Sequence, residues 1–459
     1  MWVIVLVLQV EGVGAQEDVD MGDLLEMSMT DLMDVTVVTA SRRQERLLEA
    51  PSAVSIITRE EILRSPAHTI PELLQYVVGM DGYTKTHTDH DVAARGLAYD
   101  ETPKMLFLID SQPVNVVPYG GIQWPTLPIT KASIDRIEVV RGPSSALYGA
   151  DAQAGVVNII TLPAGERQNS ASVVYGDRGS RVYELEVVGA PTEGLGVSLT
   201  GSFTRTERKG DEEFAGASRV APNFDIKDWA DIYLVAYRLD YRNDVLTFLS
   251  EGGFTSDEEG YNASAGDASI DYSEKRTIYL NTQMKIPVGA DEIGFRVGFR
   301  NLWQRNQRWT GNQYEFKYVL PKGRGLDVDV QYSVRPLRNH NIIFGASASR
   351  FRASRDIAND PPYVYDQSDN LWSAYAQDQI SLANRRLLLT LSGRYEKWDS
   401  FDGPADQSVP MRILVVFAQP VAAHGDRGYL DASVAEWSVV HGCPWMRERM
   451  NRSGRAGGA

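Results

Sequence analysis

The residues that could carry metal or acid–base chemistry are few and scattered along this chain. The 459 residues include 6 His and 1 Cys, Cys443, so no intramolecular disulfide framework can form. Only His87 and His90 lie close together, within Thr86-His-Thr-Asp-His-Asp91, where alternating His and Asp could bind a transition metal. Because so short a run provides no complete ligand set, we predict neither a metal site nor a cofactor.

The glycines between Gly142 and Gly155 could form another kind of site, a cradle for phosphate. Such a loop needs a Lys followed by Ser or Thr after a glycine, or the G-x-G-x-x-G spacing, and this stretch has neither. The chain also lacks the metalloprotease helix motif, and no nucleophile can be matched with a base from the sequence. We therefore predict a protein that is not an enzyme.

The same stretch is more informative as a structural element. β-rich runs at residues 136–140 and 156–161 flank Gly142-Pro143, which forces a turn, and Gly149 and Gly155, which permit unusual backbone angles. The pattern predicts a strand, a short helical turn and a second strand.

Residues 134–161 resemble the end of the plug domain of TonB-dependent outer-membrane receptors, and similar segments precede them in the family's order. Residues 50–58 are similar to the first plug strand, and residues 94–97 and 106–114 stand where the family has two further strands. Ser111 replaces a Gly that the family usually has in the turn after the apolar strand, which leaves the geometry of that turn in doubt.

Two short helices of the plug are also indicated, at residues 59–62 and 70–74. Each is preceded by a Thr with a Glu three residues on, which is a capping box that favours a helix start at that point. The boxes pair Thr58 with Glu61 and Thr69 with Glu72.

The resemblance implies active uptake of a scarce ligand, such as an iron–siderophore complex or cobalamin, across the outer membrane. It implies that TonB, energised by ExbB and ExbD, adds a strand to the TonB box, whose β-branched residues favour extension. The implied TonB box is Asp34, Val35, Thr36, Val37, Val38, Thr39 and Ala40. The implied plug–barrel contacts are Arg95, Arg141 and Glu138, and the candidate ligand contacts are Tyr83, His87, Asp89, His90, Tyr119 and Trp124.

Composition and hydropathy restrict the function classes. The chain has 61 acidic and 46 basic residues, a net charge of -15, which argues against a nucleic-acid partner because phosphate binding needs a basic face. No apolar span is long enough for a transmembrane helix, but a barrel can cross a bilayer on alternating strands alone.

Strand-like alternation follows the plug. In residues 326–335, for example, Leu326 and Val328 share one face while Asp327 and Asp329 share the other, which is typical of apolar-out, polar-in barrel strands. A soluble sandwich would alternate too, but the runs are longer than is usual for soluble strands. We find about eleven candidate strands between residues 170 and 400, against about 22 in large outer-membrane transporters.

The predicted fold is therefore mainly β: a small α/β plug followed by an antiparallel transmembrane β-barrel that is incomplete, with about half of the strands. Apolar residues 2–10 and the small residues before Gln16 resemble a secretory signal, although no Lys or Arg precedes them, and a buried strand is the alternative. The predicted divisions are a signal peptide at 1–15, an N-terminal segment at 16–49, a plug at 50–163, a partial barrel at 168–408 and a tail at 409–459.

The tail after residue 408 loses the alternation, so we expect it to be frameshifted, poorly ordered or weakly helical. An open half-barrel also leaves unpaired backbone groups in lipid, which is costly and favours aggregation. Two other functions stay open for these reasons: a non-functional or plug-only fragment, and a passive porin-type or adhesive barrel.

Overall fold

The computed structural model describes residues 4–9, 36–47, 50, 52–84, 88, 90–94, 105–115, 121–142, 144–149, 151–176, 179–209, 227–262, 270–309, 314–357, 363–382, 387–400 and 409–420. These residues form an α/β unit, which we call the plug, and a large antiparallel sheet, which we call the wall.

The first part of the chain contains ten strands and three α-helices. They are β1 (Ile4–Gln9), β2 (Thr36–Val37), β3 (Glu45–Arg46), β4 (Ala53–Thr58), α1 (Arg59–Arg64), α2 (Ile70–Leu74), β5 (Met80–Thr84), β6 (His90–Ala94), β7 (Met105–Ile109), β8 (Gln112–Pro113), β9 (Ile134–Arg141), α3 (Ser145–Tyr148) and β10 (Gly155–Thr161). Short 3-10 turns cover Trp124–Thr126, Lys131–Ser133 and Ala164–Glu166.

The wall strands follow one another along the chain. They are β11 (Ser170–Tyr175), β12 (Arg181–Thr192), β13 (Leu195–Lys209), β14 (Lys227–Arg242), β15 (Thr247–Asn262), β16 (Ile270–Val288), β17 (Asp291–Trp309), β18 (Tyr314–Val334), β19 (His340–Ile357), β20 (Tyr363–Leu382), β21 (Leu387–Ser400) and β22 (Val409–Pro420).

The plug is built on a 5-stranded sheet in the order β4-β9-β10-β7-β8. β10 runs parallel to β7 and antiparallel to β9, so the strand–turn–strand prediction for residues 134–161 is confirmed. Both capping boxes form: the side chain of Thr58 accepts a hydrogen bond from the Glu61 backbone, and Thr69 does the same for Glu72. Local capping signals therefore predicted the helix starts correctly.

The turn between β7 and β8 keeps its geometry although Ser111 stands in place of a glycine. Asp110 and Ser111 have φ angles of 43° and 69°, as a two-residue hairpin turn with both central residues left-handed requires. A left-handed residue with a side chain costs roughly 1–2 kcal/mol. The Asp110 carboxylate offsets part of this cost, because it accepts hydrogen bonds from the Thr161 backbone at 3.1 Å and from the Thr161 hydroxyl at 2.6 Å.

The wall is a 13-stranded sheet in the order β1-β11-β12 and then in sequence to β22. Strands β11 to β21 fill the interval from residue 170 to residue 400, which confirms the prediction of about eleven strands there. Among the described residues, β1 and β22 pair with the sheet on one side only, so the sheet is open.

Two predictions at the ends of the wall need correction or qualification. Residues 409–420 form β22, which pairs with β21 from Val409 opposite Trp398 to Pro420 opposite Leu387. The predicted end of the wall at residue 408 and the weak order after Met411 are therefore wrong for this stretch. Ile4–Gln9 forms a strand that pairs with the edge of β11, which agrees with the alternative interpretation of this segment as a strand. A cleaved signal peptide at residues 1–15 stays a prediction.

The wall has an inverted distribution of polarity. Leu326, Val328 and Val330 are 39 to 45% exposed on its outer face, whereas Asp329, between the last two, is only 7% exposed on the inner face. An outward apolar belt around a polar interior is the pattern of a barrel that sits in lipid. None of the helices among the described residues is long and apolar enough to span a membrane.

The two ends of the wall differ in the length of their connections. One end has residues 193–194, 243–246, 289–290, 335–339 and 383–386, and the other has 176–180, 210–226, 263–269, 310–313, 358–362 and 401–408. Outer-membrane barrels have short periplasmic turns and longer outside loops. We call the first the periplasmic end and the second the outer end.

The outward row of β18 generates a test of the lipid-facing assignment. We expect Val328→Arg to lower the free energy of unfolding from a bilayer by about 2–4 kcal/mol, because the guanidinium must enter hydrocarbon. Urea titration of the chain refolded into phosphatidylcholine vesicles measures this change. Val245→Arg is the control, since Val245 is 68% exposed in a periplasmic turn. Equal losses in the two variants would contradict the assignment.

Candidate functional site

The N-terminal segment, residues 36–47, lies folded against the plug. β2 pairs antiparallel with β3, with Thr36 opposite Arg46 and Val37 opposite Glu45. Val37 is fully buried and belongs to an apolar cluster that includes Val140 and Val156. Within the predicted TonB box, Thr36 and Val37 are extended, Thr39 and Ala40 lie in a turn, and the segment is docked on its own chain. Asp34 and Val35 lie outside the described residues, and the assignment of this segment as the TonB box stays a prediction.

Glu138 is the plug residue that holds this segment. It lies in the middle of β9, between Ile56 of β4 and Asn158 of β10, and is fully buried. Its Oε2 atom accepts hydrogen bonds from the backbone N–H of Val38 at 3.0 Å, the backbone N–H of Thr39 at 2.8 Å and the Thr39 hydroxyl at 2.6 Å. Hydrogen bonds to an ionised acceptor are about twice as strong as neutral ones.

The other oxygen of this carboxylate has a charged partner. Arg136 Nε donates to Glu138 Oε1 at 3.0 Å, which keeps the buried negative charge paired. Tyr148 of α3 adds a further hold, because its hydroxyl donates to the carbonyl oxygen of Thr39 at 2.9 Å. The backbone around Thr39 is thus fixed from both its donor and its acceptor side.

Arg42 connects the segment to the wall. Its guanidinium lies over the rings of Tyr148, at 4.9 Å, and Tyr375, at 4.7 Å, and forms an ion pair with Asp329 at 3.3 Å. Burial lowers the pKa of Arg42, but the Asp329 carboxylate, with Tyr375 and Tyr148, raises it by more, so the net shift is upward. Burial also raises the pKa of Tyr148, so its hydroxyl stays a hydrogen-bond donor.

The stack continues into the wall. Arg394 of β21 also lies over the ring of Tyr375, at 5.5 Å from its centroid. Its guanidinium donates to the carbonyl oxygen of Leu147 in α3 at 3.0 Å. Tyr148, Arg42, Tyr375 and Arg394 therefore form alternating aromatic and cationic layers from plug to wall. Because Asp329 is near the periplasmic end of β18, this stack is close to that face.

A second set of contacts seats the plug through its β7–β8 hairpin. Arg238 of β14 forms ion pairs with Asp110 of the hairpin at 2.9 Å and with Glu251 of β15 at 3.3 Å. Arg296 and Arg300 of β17 donate to the carbonyl oxygens of Ser111 and Asn115. At this anchor the wall supplies the arginines, and the plug supplies Asp110 and two carbonyl oxygens as acceptors beside the wall carboxylate Glu251.

The expected plug–barrel contacts are placed differently. Arg141 donates to the Val78 carbonyl oxygen at 2.6 Å, which is a contact within the plug, and Glu138 holds the N-terminal segment rather than the wall. The two side chains leave opposite faces of β9 because they are three residues apart, and their described hydrogen bonds are with the plug and the N-terminal segment rather than with the wall. Arg95 lies outside the described residues.

The candidate ligand contacts are partly outside the described residues and partly buried. Nothing is described for His87, Asp89, Tyr119 or the side chain of Tyr83. His90 and Trp124 are buried, with Trp124 Nε1 donating to the His90 carbonyl oxygen at 2.8 Å and its ring meeting Phe107 edge-on. Both side chains therefore pack in the interior of the plug in this structure, and contact of either with a ligand stays a prediction.

The plug also meets the wall at the outer end. Thr88 donates to Glu259, which pairs with Lys275, and Gln123 Nε2 donates to Gln304 Oε1 at 2.9 Å. These contacts place the plug segments around Thr88 and Gln123, which we call the apical plug segments, beside the outer half of the wall. Among the described side chains, no group of three or more His, Cys, Asp or Glu is arranged to hold a metal ion.

Sequence reasoning missed the residues that connect the segment to the wall. Arg42, Tyr148 and Asp329 are far apart in the sequence and carry no shared motif. The one local signal was the placement of a basic pair, Arg42-Arg43, one residue beyond the predicted TonB box.

Comparison with family models divides the chain as the structure does. The TonB-dependent receptor plug domain model matches residues 46–156, and the TonB-dependent receptor-like β-barrel model matches residues 170–419. The second match ends at the last wall strand, β22, and so includes residues 409–419, which had been expected to lie outside the barrel.

The individual relatives include vitamin B12 transporters, an iron-regulated outer membrane virulence protein of Vibrio cholerae and a ferric enterobactin receptor. A vitamin B12 transporter BtuB of Vibrio vulnificus is 28% identical over 407 residues, covering 85% of this chain and 62% of the relative. Another of Photobacterium profundum is 34% identical over 375 residues, covering 81% and 56%. A ferric enterobactin receptor of Pseudomonas aeruginosa is 30% identical over 201 residues, covering 39% and 26%. The chain thus spans less than two thirds of the length of these relatives.

Solved structures share the fold at low identity. FpvA of Pseudomonas aeruginosa bound to heterologous pyoverdines matches with a TM-score of 0.64 and 14% identity, covering 85% of this chain and 57% of that one. The ferric enterobactin receptor PfeA of the same organism matches with a TM-score of 0.63 and 18% identity, covering 83% and 61%.

The Arg42–Asp329 ion pair generates a test of segment docking. We expect Asp329→Asn to speed trypsin cleavage after Arg42 or Arg43 at least tenfold, because unpairing a buried charge costs about 3–5 kcal/mol. Cleavage is followed by gel electrophoresis and mass spectrometry of the fragments. Asp327→Asn is the matched control, since Asp327 lies two residues earlier and accepts from Gln112 of the β7–β8 hairpin. Equal acceleration in both variants would mean that the wall, not the ion pair, has been weakened.

Proposed function

This chain belongs to the TonB-dependent receptor family of the outer membrane, and from that premise we propose that it imports a scarce ligand with energy delivered by TonB. The observation that carries the proposal is the docked N-terminal segment, which is rich in β-branched residues. Glu138 holds its backbone, and the ion pair of Arg42 with Asp329 holds it near the periplasmic end of the wall. A passive pore has no use for such a segment or for a plug that fills the inner face of the wall.

The proposed cycle begins at the outer end. Ligand bound by the apical plug segments and outside loops changes the contacts of Thr88 and Gln123 with the wall. A ligand shifts such an equilibrium only as far as it binds one state better than the other. The favoured state is one in which Arg42 leaves Asp329 and the segment enters the periplasm. TonB then adds a strand to the segment, and ExbB and ExbD supply the energy that remodels the plug.

Strand addition to the TonB box predicts the effect of a proline. Val37→Pro removes a backbone donor and blocks β-pairing, so binding of the purified TonB C-terminal domain should fall at least tenfold. Val37→Ala is the matched control: it also loosens the buried residue, but it keeps the N–H and should keep TonB binding. Fluorescence anisotropy of labelled TonB domain measures both affinities, and equal loss in the two variants would argue against main-chain recognition.

The charge of the outer lumen guides the choice of ligand. On β15 and β16, the described lumen-facing residues of the outer half include two carboxylates, Asp257 and Glu259, against one cation, Lys275. These three side chains are buried between the wall and the plug, so their excess of negative charge acts on a ligand only through its field, which disfavours a strongly anionic ferric catecholate more than a corrinoid that is close to neutral. The vitamin B12 transporters among the relatives also match most of the chain. We therefore propose a corrinoid as the ligand class.

This choice is tested by direct titration. Cyanocobalamin should bind the chain in detergent at least tenfold more tightly than ferric enterobactin, measured by equilibrium dialysis with absorbance detection of each ligand. Ferric enterobactin binding more tightly would reassign the chain to siderophore uptake, and the receptor proposal itself would stand.

A further inference from the structure

The backbone donors that hold the N-terminal segment on the plug include one that strand addition would need. A strand that pairs with residues 34–40 uses the backbone N–H and C=O groups of alternate residues, so one of the neighbouring N–H groups of Val38 and Thr39 faces the added strand whichever edge is used. In the docked state the N–H groups of Val38 and Thr39 both donate to one oxygen of Glu138, and the Thr39 carbonyl accepts from Tyr148. Val37 is meanwhile paired with Glu45 of β3.

The carboxylate is placed to hold these donors firmly. Glu138 is fully buried and Thr39 is nearly so, so water does not compete for either group. When the segment leaves, Glu138 keeps Arg136 as its described partner and loses three donors at once. An incompletely paired buried charge is costly, so the plug strongly favours the docked state.

We propose that Glu138 is a positioning residue that competes with TonB for whichever backbone N–H, that of Val38 or that of Thr39, faces the added strand, so that docking and TonB binding exclude each other. This inference rests on the proposed function and adds the residue that regulates access to the segment. The association constant of TonB measured on the whole chain is then the intrinsic constant multiplied by the fraction of molecules in which the segment is undocked.

The competition is directed at the main chain. Because Glu138 accepts from the backbone N–H of Val38, this hydrogen bond does not depend on the identity of the side chain at position 38. Thr39 differs, since its hydroxyl also donates to Glu138. Replacing Glu138 with Gln removes the charge and turns one acceptor oxygen into an N–H donor, which faces other donors in at least one orientation.

The experiment uses a buried cysteine as a reporter of undocking. The single native Cys443 is replaced in a Cys443→Ser background, and Val37→Cys places a thiol where the docked segment is fully buried. A second reporter, Leu74→Cys, is fully buried in α2 of the plug core and reports unfolding of the plug itself. The rate of maleimide labelling of the full chain in detergent is measured for each reporter.

We expect Glu138→Gln to raise the labelling rate of Val37→Cys at least tenfold and to leave that of Leu74→Cys unchanged. Glu61→Gln is the matched control, because Glu61 also accepts a backbone N–H and a Thr hydroxyl, from Thr58, but away from the segment. Glu61→Gln should leave the labelling rates of both reporters, Val37→Cys and Leu74→Cys, unchanged. An unchanged rate for Val37→Cys, or equal acceleration of both reporters, would overturn the positioning role of Glu138.

Competition is then measured with the purified TonB C-terminal domain. Glu138→Gln should tighten its binding by the same factor by which it accelerates labelling of Val37→Cys. Faster labelling with unchanged, measurable TonB binding would overturn the competition. Faster labelling with no TonB binding to either protein would uphold Glu138 as the docking residue and count against the proposed function instead.

Discussion

The wall turns its polar face inward, and the plug has to provide partners for that face in the absence of bulk water. Asp329 of β18, for example, is 7% exposed, and its ion-pair partner among the described residues is Arg42 of the N-terminal segment. Burying a charge without a partner costs several kcal/mol, so plug and wall cannot be assembled independently. Buried ion pairs of this kind specify how the parts fit together more than they stabilise them.

The plug is held in two chemically different ways. The β7–β8 hairpin presents a carboxylate and carbonyl oxygens to wall arginines, which fixes it through several charge-assisted contacts. The N-terminal segment is held by the Arg42–Asp329 ion pair, by hydrogen bonds from Gln331 and Gln379 of the wall, and by the acceptance of its backbone donors by Glu138. A plug that stays seated at the hairpin while its segment exchanges partners is consistent with this division.

The differences between the sequence-based predictions and the structure share one physical cause. The exposure of a side chain and the contacts it makes depend on the whole fold, not on the neighbouring sequence. His90 and Trp124 occur in polar, glycine-containing stretches typical of loops, yet the plug core covers them. Residues 409–420 show little alternation of their own and form β22 because β21 offers an unpaired edge. Glu138 and Arg141 were expected to contact the wall. In the structure Glu138 binds Thr39 of the N-terminal segment, and Arg141 binds the carbonyl oxygen of Val78 in the plug.

The sequence by itself determined the elements whose causes are local. Capping boxes set the starts of α1 and α2, glycine and proline set the turn before α3, and alternation of polarity set the wall strands and the face each turns to lipid. Only the tertiary structure decided which residues meet. Glu138 lies 99 residues from Thr39, and Arg42 lies 287 residues from Asp329. No local pattern encodes such pairs, because each contact follows from how the plug sheet and the wall pack together.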